Sequence, residues 1–197
     1  VKSDDTVLNI LVVPTFTINA SLWVDYIYLD TDERRRFAQV SHEYLIEQIQ
    51  HTGSEQANKY SHNLNLNHPV KELIWVVNNK NETKDYVPQW NKFTPVKTAK
   101  VILNGHDRFA ERDGDYFSIV QPYQHHTTIP FDSEKFSSRH INCYSFAIKP
   151  EDHQPSGTCN FSRIDNATLN LTYDETSLVL SKCSVSIFAV NYNVLRI

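Results

Sequence analysis

The 197-residue sequence contains no methionine, four glycines and three cysteines. With so few glycines it has no glycine-rich phosphate loop and no Gly-x-Ser-x-Gly motif, which argues against nucleotide-binding and serine-hydrolase chemistry. No apolar run approaches the roughly 20 residues of a membrane span, and residues 1–5 do not form a signal peptide. Because methionine is absent even at position 1 and the sequence stops within an apolar run, we expect a piece of a longer protein.

The cysteines are odd in number and widely spaced, at Cys143, Cys159 and Cys183. No Cys-x-x-Cys or Cys/His spacing typical of structural zinc is present, so we expect reduced thiols and no metal or other cofactor. Asn-x-Ser/Thr triplets are attributed to chance in an asparagine-rich β protein. These triplets begin at Asn19, Asn81, Asn160, Asn166 and Asn170.

Composition predicts a folded chain with no general affinity for nucleic acid. Hydrophobic residues make up 40% of the sequence and aromatic residues 12%, which is enough for a core. The formal net charge of −4 lacks the basic excess of a nucleic-acid-binding surface. The length suits one domain, or one domain with a fragment of another.

Strand patterns dominate the sequence, and turn residues punctuate them. Many short strands with one helical segment near the start indicate an all-β fold, an antiparallel β-sandwich. The strands are predicted at 8–13, 21–30, 72–78, 100–104, 116–120, 141–149, 167–173 and 183–197.

One segment changes from strand to helix periodicity. Residues 32–50 place apolar side chains at helical spacing, and Asp30 with Glu33 has the spacing of a capping box. Gly53 is interpreted as the helix stop, and the polar residues 52–70 as a connector.

Residues 104–130 concentrate charged and histidine side chains, which raises the question of a metal or acid–base centre. His125 and His126 are adjacent, so in an extended chain their rings lie on opposite faces and do not share a metal. Asp113 and Asp115 do not meet the spacing of a calcium loop. We therefore favour loop charges and turns over a catalytic or metal site.

Five segments of the sequence, taken in chain order, closely resemble the major capsid protein of the large nucleocytoplasmic DNA viruses, of the iridovirus and phycodnavirus kind. Together they span nearly the whole chain, and the sequence resembles the C-terminal half of that protein. The segments are LWVDYIYLDTDERRRFAQVSHEYLIEQ, HPVKELIWVV, NGHDRFAERDGDYFSIVQPYQHHTTIP, YSFAIKPEDHQPSGTCNFSRIDNATLNL and FAVNYNVLRI.

The resemblance implies a double jelly roll, of which this chain carries the last strands of the first jelly roll and the whole of the second. Residues 1–31 then end the first jelly roll, residues 32–68 form a helical and polar inter-domain connection, and residues 69–197 form the second. It also implies a non-enzymatic structural protein of the virion capsid, assembled in the host cytoplasm, in which three copies form a pseudo-hexagonal capsomer of an icosahedral shell.

The partners implied are two further copies in a homotrimer, neighbouring capsomers and minor capsid proteins, without direct contact to nucleic acid and without a transmembrane segment. Loops are expected to supply the subunit contacts, because jelly-roll sheets bury their inner faces. The candidate contact residues are Arg108, Arg112, Asp113, Arg163 and Asp165.

Two rival functions use the same kind of sandwich. A carbohydrate-binding, lectin-like module would need an exposed aromatic platform. Trp23 and Trp75 lie in apolar runs and are predicted to be core, which leaves Trp90. A metal-dependent jelly-roll enzyme would need an inward-facing histidine and carboxylate triad, which the spacing does not supply.

Overall fold

The computed structural model describes residues 20–79, 96–129, 141–174 and 180–197. The chain divides into two compact units, residues 1–41 and residues 42–197. The strand predicted at 8–13 lies outside the described residues. None of the helices in the described ranges has the length and apolar character that a membrane crossing requires.

In the first unit, the described residues contain one helix, α1 (Thr31–Gln39), preceded by an irregular segment. The predicted capping box is confirmed: the Asp30 carboxylate accepts from the Glu33 N–H at 2.8 Å, and the Glu33 side chain accepts from the Asp30 N–H at 3.2 Å. The strand predicted at 21–30 was wrong, since no described strand pairs with this segment. Its apolar side chains lie in water, with Trp23 91% exposed and Ile27 86% exposed.

The second unit is built from antiparallel strands in two sheets. In chain order, the strands in the described residues are β1 (Glu43–Gln56), β2 (Ser61–Asn63), β3 (Pro69–Asn79), β4 (Thr98–Leu103), β5 (His106–Asp107), β6 (Arg112–Asp113), β7 (Ile141–Ser145), β8 (Cys159–Asn160), β9 (Ala167–Thr172) and β10 (Cys183–Arg196). The first sheet has the order β1–β10–β3–β7, with β8 beside β3, and the second has the order β2–β9–β4–β5, with β6 beside β4.

The two sheets share one apolar core, which makes the unit a β-sandwich. Leu73 and Trp75 of the first sheet and Val101 and Leu169 of the second are fully buried. The alternation predicted for β9 is confirmed, because its odd-numbered apolar residues are buried in this core. Most neighbours in the two sheets, such as β1 with β10 and β2 with β9, are distant in sequence, and this order confirms the predicted all-β jelly-roll class.

The helix predicted through residue 50 was wrong beyond α1. Residues 43–56 form β1, which pairs with β10 along nearly its whole length, from Glu43 opposite Arg196 to Gln56 opposite Ser184. Gly53 lies inside this strand at φ +90°, beside a register shift between His51 and Ser54, so it serves a β-bulge instead of a helix end. Non-local strand pairing has overridden the local helical periodicity.

The strand predicted at 116–120 was also wrong. A π-helical turn, Tyr116–Val120, leads directly into a short helix, α2 (Gln121–His125). Phe117 is fully buried and packs on Trp75 with ring centroids 5.2 Å apart. The Gln121 carboxamide accepts from the Ser145 N–H at 3.0 Å, so the helix covers the open edge of β7.

A bulge in β3 sets which of its side chains face the core. Opposite β10, Glu72 pairs with Val190 but Val70 pairs with Asn191, so Lys71 is an extra residue on β3. The Lys71 carbonyl instead accepts from the Phe146 N–H at 2.9 Å. The inter-domain segment proposed at 32–68 thus contains β1 and β2 as members of the two sheets, while the assignment of residues 1–31 and 69–197 to two jelly rolls stays a prediction.

Candidate subunit-contact surface

The five residues predicted to make subunit contacts are all exposed, and they fall into two groups along β4. Arg108 follows β5, which pairs with the end of β4, whereas Arg112 and Asp113 form β6, which pairs with its start. The two pairings are offset by four positions along β4, about 13 Å at the usual rise. Arg163 and Asp165 follow β8 and belong with the first group.

Asn104 ties the two loops of the first group together. With φ +50° at Asn104 and +79° at Gly105, the two residues form the tight turn between β4 and β5. The Asn104 side-chain oxygen accepts from the backbone N–H of Asp165 at 3.0 Å and of Asn166 at 3.1 Å. The Asn104 side chain therefore fixes the loop that carries Arg163 and Asp165 through backbone hydrogen bonds.

Both arginines of the segment 104–115 rest on aromatic rings. The Arg108 guanidinium lies 6.0 Å from the centroid of Phe146, and that of Arg112 lies 4.5 Å from Tyr116. Burial raises the pKa of the Tyr144 hydroxyl, and the nearby Arg108 opposes that shift. The guanidinium groups of these two exposed arginines are therefore held over aromatic rings at the surface.

A continuous row of aromatic rings connects this surface to the core. The ring centroids of successive members lie between 4.7 and 5.9 Å apart. Contacts at these distances favour tilted or edge-to-face pairs, which hold the loops in one arrangement. The row runs through Trp75, Phe117, Phe109, Tyr144, Phe146 and Phe161.

A second group of charged side chains, which sequence reasoning missed, lies around the bulge in β3. The Lys71 side chain is 3% exposed, its ammonium is 2.8 Å from the Glu47 carboxylate of β1, and it lies over the Tyr192 ring. His153 approaches the same carboxylate at 3.6 Å. Lys71 thus crosses β10 to join β3 to β1.

His126, one of the two histidines singled out in the sequence, lies between two carboxylates. Its Nε2 is 3.1 Å from Glu72 Oε2, and its Nδ1 is 3.2 Å from Glu151 Oε1. The Thr127 N–H donates to Glu151 Oε2 at 2.9 Å. Glu72 is 6% exposed, and burial is the largest cause of its raised pKa. We call Glu72, His126 and Glu151 the carboxylate–histidine clasp.

His125 does not take part in the clasp. Its Nδ1 lies 2.9 Å from the carbonyl oxygen of Ile148, so the adjacent histidines have different partners. Among the described residues, no three or more His, Cys, Asp or Glu side chains are grouped so as to hold a metal ion. Burial, with Glu72 nearby, raises the pKa of the Cys143 thiol to about 12, which makes it a poor nucleophile.

The tryptophans do not form an aromatic platform for sugar in the described residues. Trp75 is fully buried, as predicted, and packs on Phe117. The prediction that Trp23 is core was wrong, since it is 91% exposed in the irregular segment before α1. Trp90 lies outside the described residues. With Trp75 in the core, the lectin-like alternative has lost one of its three aromatic candidates.

The fold and the exposed loops define a class of protein, the jelly-roll capsid proteins, and similarity to solved structures supports this class. The chain is similar to the crystal structure of PBCV-1 VP54 that was fitted into a reconstruction of the virophage Sputnik, with a TM-score of 0.70 and 40% identity over 87% of this chain and 53% of that chain. A Faustovirus major capsid protein, at 14% identity and a TM-score of 0.57, has a similar fold over 86% of this chain and 36% of that chain.

Residues 33–197 match the family described as the large eukaryotic DNA virus major capsid protein, and the chain belongs to this family. It is 54% identical to the major capsid protein of Pyramimonas orientalis virus, over 91% of this chain and 46% of the relative. It is 42% identical to that of Paramecium bursaria Chlorella virus 1, over 90% of this chain and 51% of the relative. The chain therefore spans about half the length of these curated relatives.

The family match confirms the resemblance found in the sequence and the expectation of a structural, non-enzymatic protein. Membership of a structural protein family accounts for the charged residues of the segment 104–130 without a catalytic role for them. Most of these side chains lie on turns, on short strands or against aromatic rings of the sandwich.

Proposed function

We propose that the protein to which this chain belongs forms the outer shell of a large DNA virus, as homotrimeric, pseudo-hexagonal capsomers that tile an icosahedral capsid. The observation that carries the proposal is the match of residues 33–197 to the capsid family, on a sandwich of the jelly-roll class. Assembly in the host cytoplasm, and contacts with neighbouring capsomers and minor capsid proteins, belong to the same proposal.

The loops 104–115 and 150–165 are proposed to supply the contacts between subunits. The inner faces of both sheets are occupied by the shared core, which leaves loops and outer edges for neighbours. Arg108 and Arg163 belong to loops that share one aromatic support, because Phe146 lies under Arg108 and packs on Phe161 at 5.9 Å. A surface held in one arrangement loses little side-chain entropy on association, which favours a specific contact.

Charge reversal of Arg108 and Arg112 in the full-length protein tests the loop contacts. We expect the double variant R108E/R112E to fold but to form fewer trimers, measured by light scattering coupled to size exclusion. K59E/K182E is the matched control, because it makes the same change in charge at the turns before β2 and β10. It should assemble like the unchanged protein.

The outcomes separate the two parts of the proposal. A full-length protein that remains monomeric at high concentration would contradict the capsomer. Normal trimers from R108E/R112E would contradict the loop contacts alone. Equal losses in both double variants would show that net charge, and not these two positions, controls assembly.

A further inference from the structure

The carboxylate–histidine clasp joins three parts of the second unit that are distant in sequence. Glu72 lies in β3, His126 follows the last residue of α2, and Glu151 lies in the loop after β7. The Thr127 N–H is also held by Glu151, at 2.9 Å. The clasp therefore fastens both the end of the helix and the loop to the first sheet.

The number of protons in the clasp decides how many of its contacts are hydrogen bonds. A neutral imidazole carries one N–H and can donate to one carboxylate only. Here each ring nitrogen faces a carboxylate oxygen, and neither His126 Nε2 nor Glu72 Oε2 has a well-aligned hydrogen bond, although they are 3.1 Å apart. One further proton, on the ring or on Glu72, supplies the missing donor.

We infer that Glu72, His126 and Glu151 form a proton-controlled clasp, which closes as the pH falls and loosens as it rises, and so couples the attachment of α2 and the loop after β7 to acidity. The closed clasp holds one more proton than the open one. Mass action therefore favours closure at lower pH.

The buried position of Glu72 acts in the same direction. Burial raises its pKa, so the folded chain takes up a proton there more readily than the unfolded chain does. The stability linked to Glu72 is therefore present at low pH and is lost as the pH rises through its folded pKa. Glu151 remains an acceptor in acid, because hydrogen bonds from Thr127 lower its pKa.

Other charged groups near the clasp change how readily Glu72 takes up a proton. Lys71 favours the ionised form of Glu72, whereas Glu151 opposes it. Cys143 of β7 also faces Glu72. Beyond these groups, Glu47 of β1 contacts Lys71 and His153, His125 of α2 contacts the Ile148 carbonyl, and Lys149 contacts Asp152.

The Thr127 amide reports on the clasp, because its N–H donates to Glu151. Hydrogen exchange of this amide by NMR in the 197-residue chain, corrected for the intrinsic pH dependence of exchange, should show protection that falls as the pH rises. At pH values above the titration, the equilibrium constant for closing a clasp that takes up one proton falls roughly tenfold per pH unit. Nitrogen-15 resonances of the His126 ring, followed in the same samples, should show the second N–H being lost in step with protection.

Three variants identify the responsible side chains. His126→Gln should remove the pH dependence of Thr127 protection. Glu72→Gln should remove the dependence but keep protection at high pH, because its amide N–H donates to Nε2 without an added proton. His125→Gln is the matched control, since it changes the neighbouring histidine, whose partner is a backbone carbonyl, and it should behave as the unchanged chain does.

Several results of these experiments would contradict the proton-controlled clasp. A pH dependence that survives in both His126→Gln and Glu72→Gln would overturn the inference, as would its loss in His125→Gln. If the variants fail to fold, the unchanged chain is sufficient: protection that does not follow the protonation of the His126 ring refutes the coupling. The clasp is a property of this chain by itself and stands or falls independently of capsomer assembly.

Discussion

Removing the Glu47 charge should destabilise the sandwich more than removing its partner, Lys71. The Lys71 side chain is 3% exposed and that of Glu47 is 33% exposed, with 2.8 Å between the charged atoms. Without the carboxylate, the ammonium would remain buried, with the Tyr192 ring 5.4 Å from it and with Glu72, whose own pKa is raised by burial, as the nearby carboxyl group. Without the ammonium, the carboxylate can be hydrated through its exposed third.

The magnitudes follow from this difference in exposure. Breaking a buried pair by removing one partner costs roughly 3–5 kcal/mol. In Glu47→Gln the amide oxygen still accepts a hydrogen bond, so we expect about 2–3 kcal/mol, or roughly 5–10 °C in melting temperature. Lys71→Met keeps the apolar stem over Tyr192, and we expect it to cost about 1 kcal/mol or less.

Urea denaturation followed by tryptophan fluorescence measures these free energies of unfolding. The double variant K71M/E47Q should be about as stable as K71M, because it leaves no buried charge unpaired. Arg196→Met is the control. Arg196 of β10 forms an ion pair with Glu43, which lies on β1 as Glu47 does, but 79% of the arginine side chain is exposed. That change should have no measurable effect. Equal losses in K71M and E47Q would refute the argument from exposure.

Three further outcomes are expected. Burial is the chief cause that lowers the pKa of His62, which contacts Glu55. The unfolded chain therefore takes up this proton first, and the free energy of unfolding should fall as the pH drops below about 6.5. In His62→Gln, the free energy of unfolding from chemical denaturation should change less with pH across this range. Gly114→Ala should cost about 1–3 kcal/mol in thermal melts, because a Cβ would lie 1.9 Å from the Val96 oxygen; an unchanged melting temperature would contradict this. Deleting residues 1–30, of which the described residues 20–30 expose apolar side chains, should reduce aggregation in light scattering, and precipitation of the shorter chain would show that these residues belong to the core.

The strands that sequence alone located are those whose pattern is decided locally. In β9 the alternating apolar residues are buried, although Asn170 between two of them is buried as well. In β3, residues 73–77 form a continuous apolar run that reaches the core at Leu73 and Trp75. Tight turns were located for the same reason, since Asn104-Gly105 adopts left-handed backbone angles that suit these residues.

The errors occurred where distant residues decide the outcome. Leu45 and Ile49 have helical spacing, but residues 43–56 become a strand because β10 supplies a partner along nearly their whole length. Residues 116–120 look extended, yet they turn helically so that Phe117 reaches Trp75 and Gln121 covers the edge of β7. A local window contains no information about these partners.

The candidate contact residues could be recognised from the sequence, whereas the clasp could not. Exposed arginines in turn-rich segments can be recognised as loops, so the exposure of Arg108 and Arg112 matched expectation. The pairing of His126 with Glu72 and Glu151 joins residues 54 and 25 positions apart. The adjacent histidines drew attention in the sequence, but only the fold shows that the second of them has two carboxylates and the first has a carbonyl.

The bulge at Lys71 is a position where the length of β3 can change by one residue without exchanging its two faces. Val70 and Leu73 both reach the core although two residues separate them, and a regular strand would place only one residue between two inward side chains. Deleting Lys71 would therefore leave Val70, Leu73 and Trp75 facing inward and would remove the ion pair with Glu47. Deleting Ile74 instead, inside the regular part of the strand, would turn the residues on one side of the gap from core to solvent. Variation in the length of this strand is thus expected at the bulge and not beyond it.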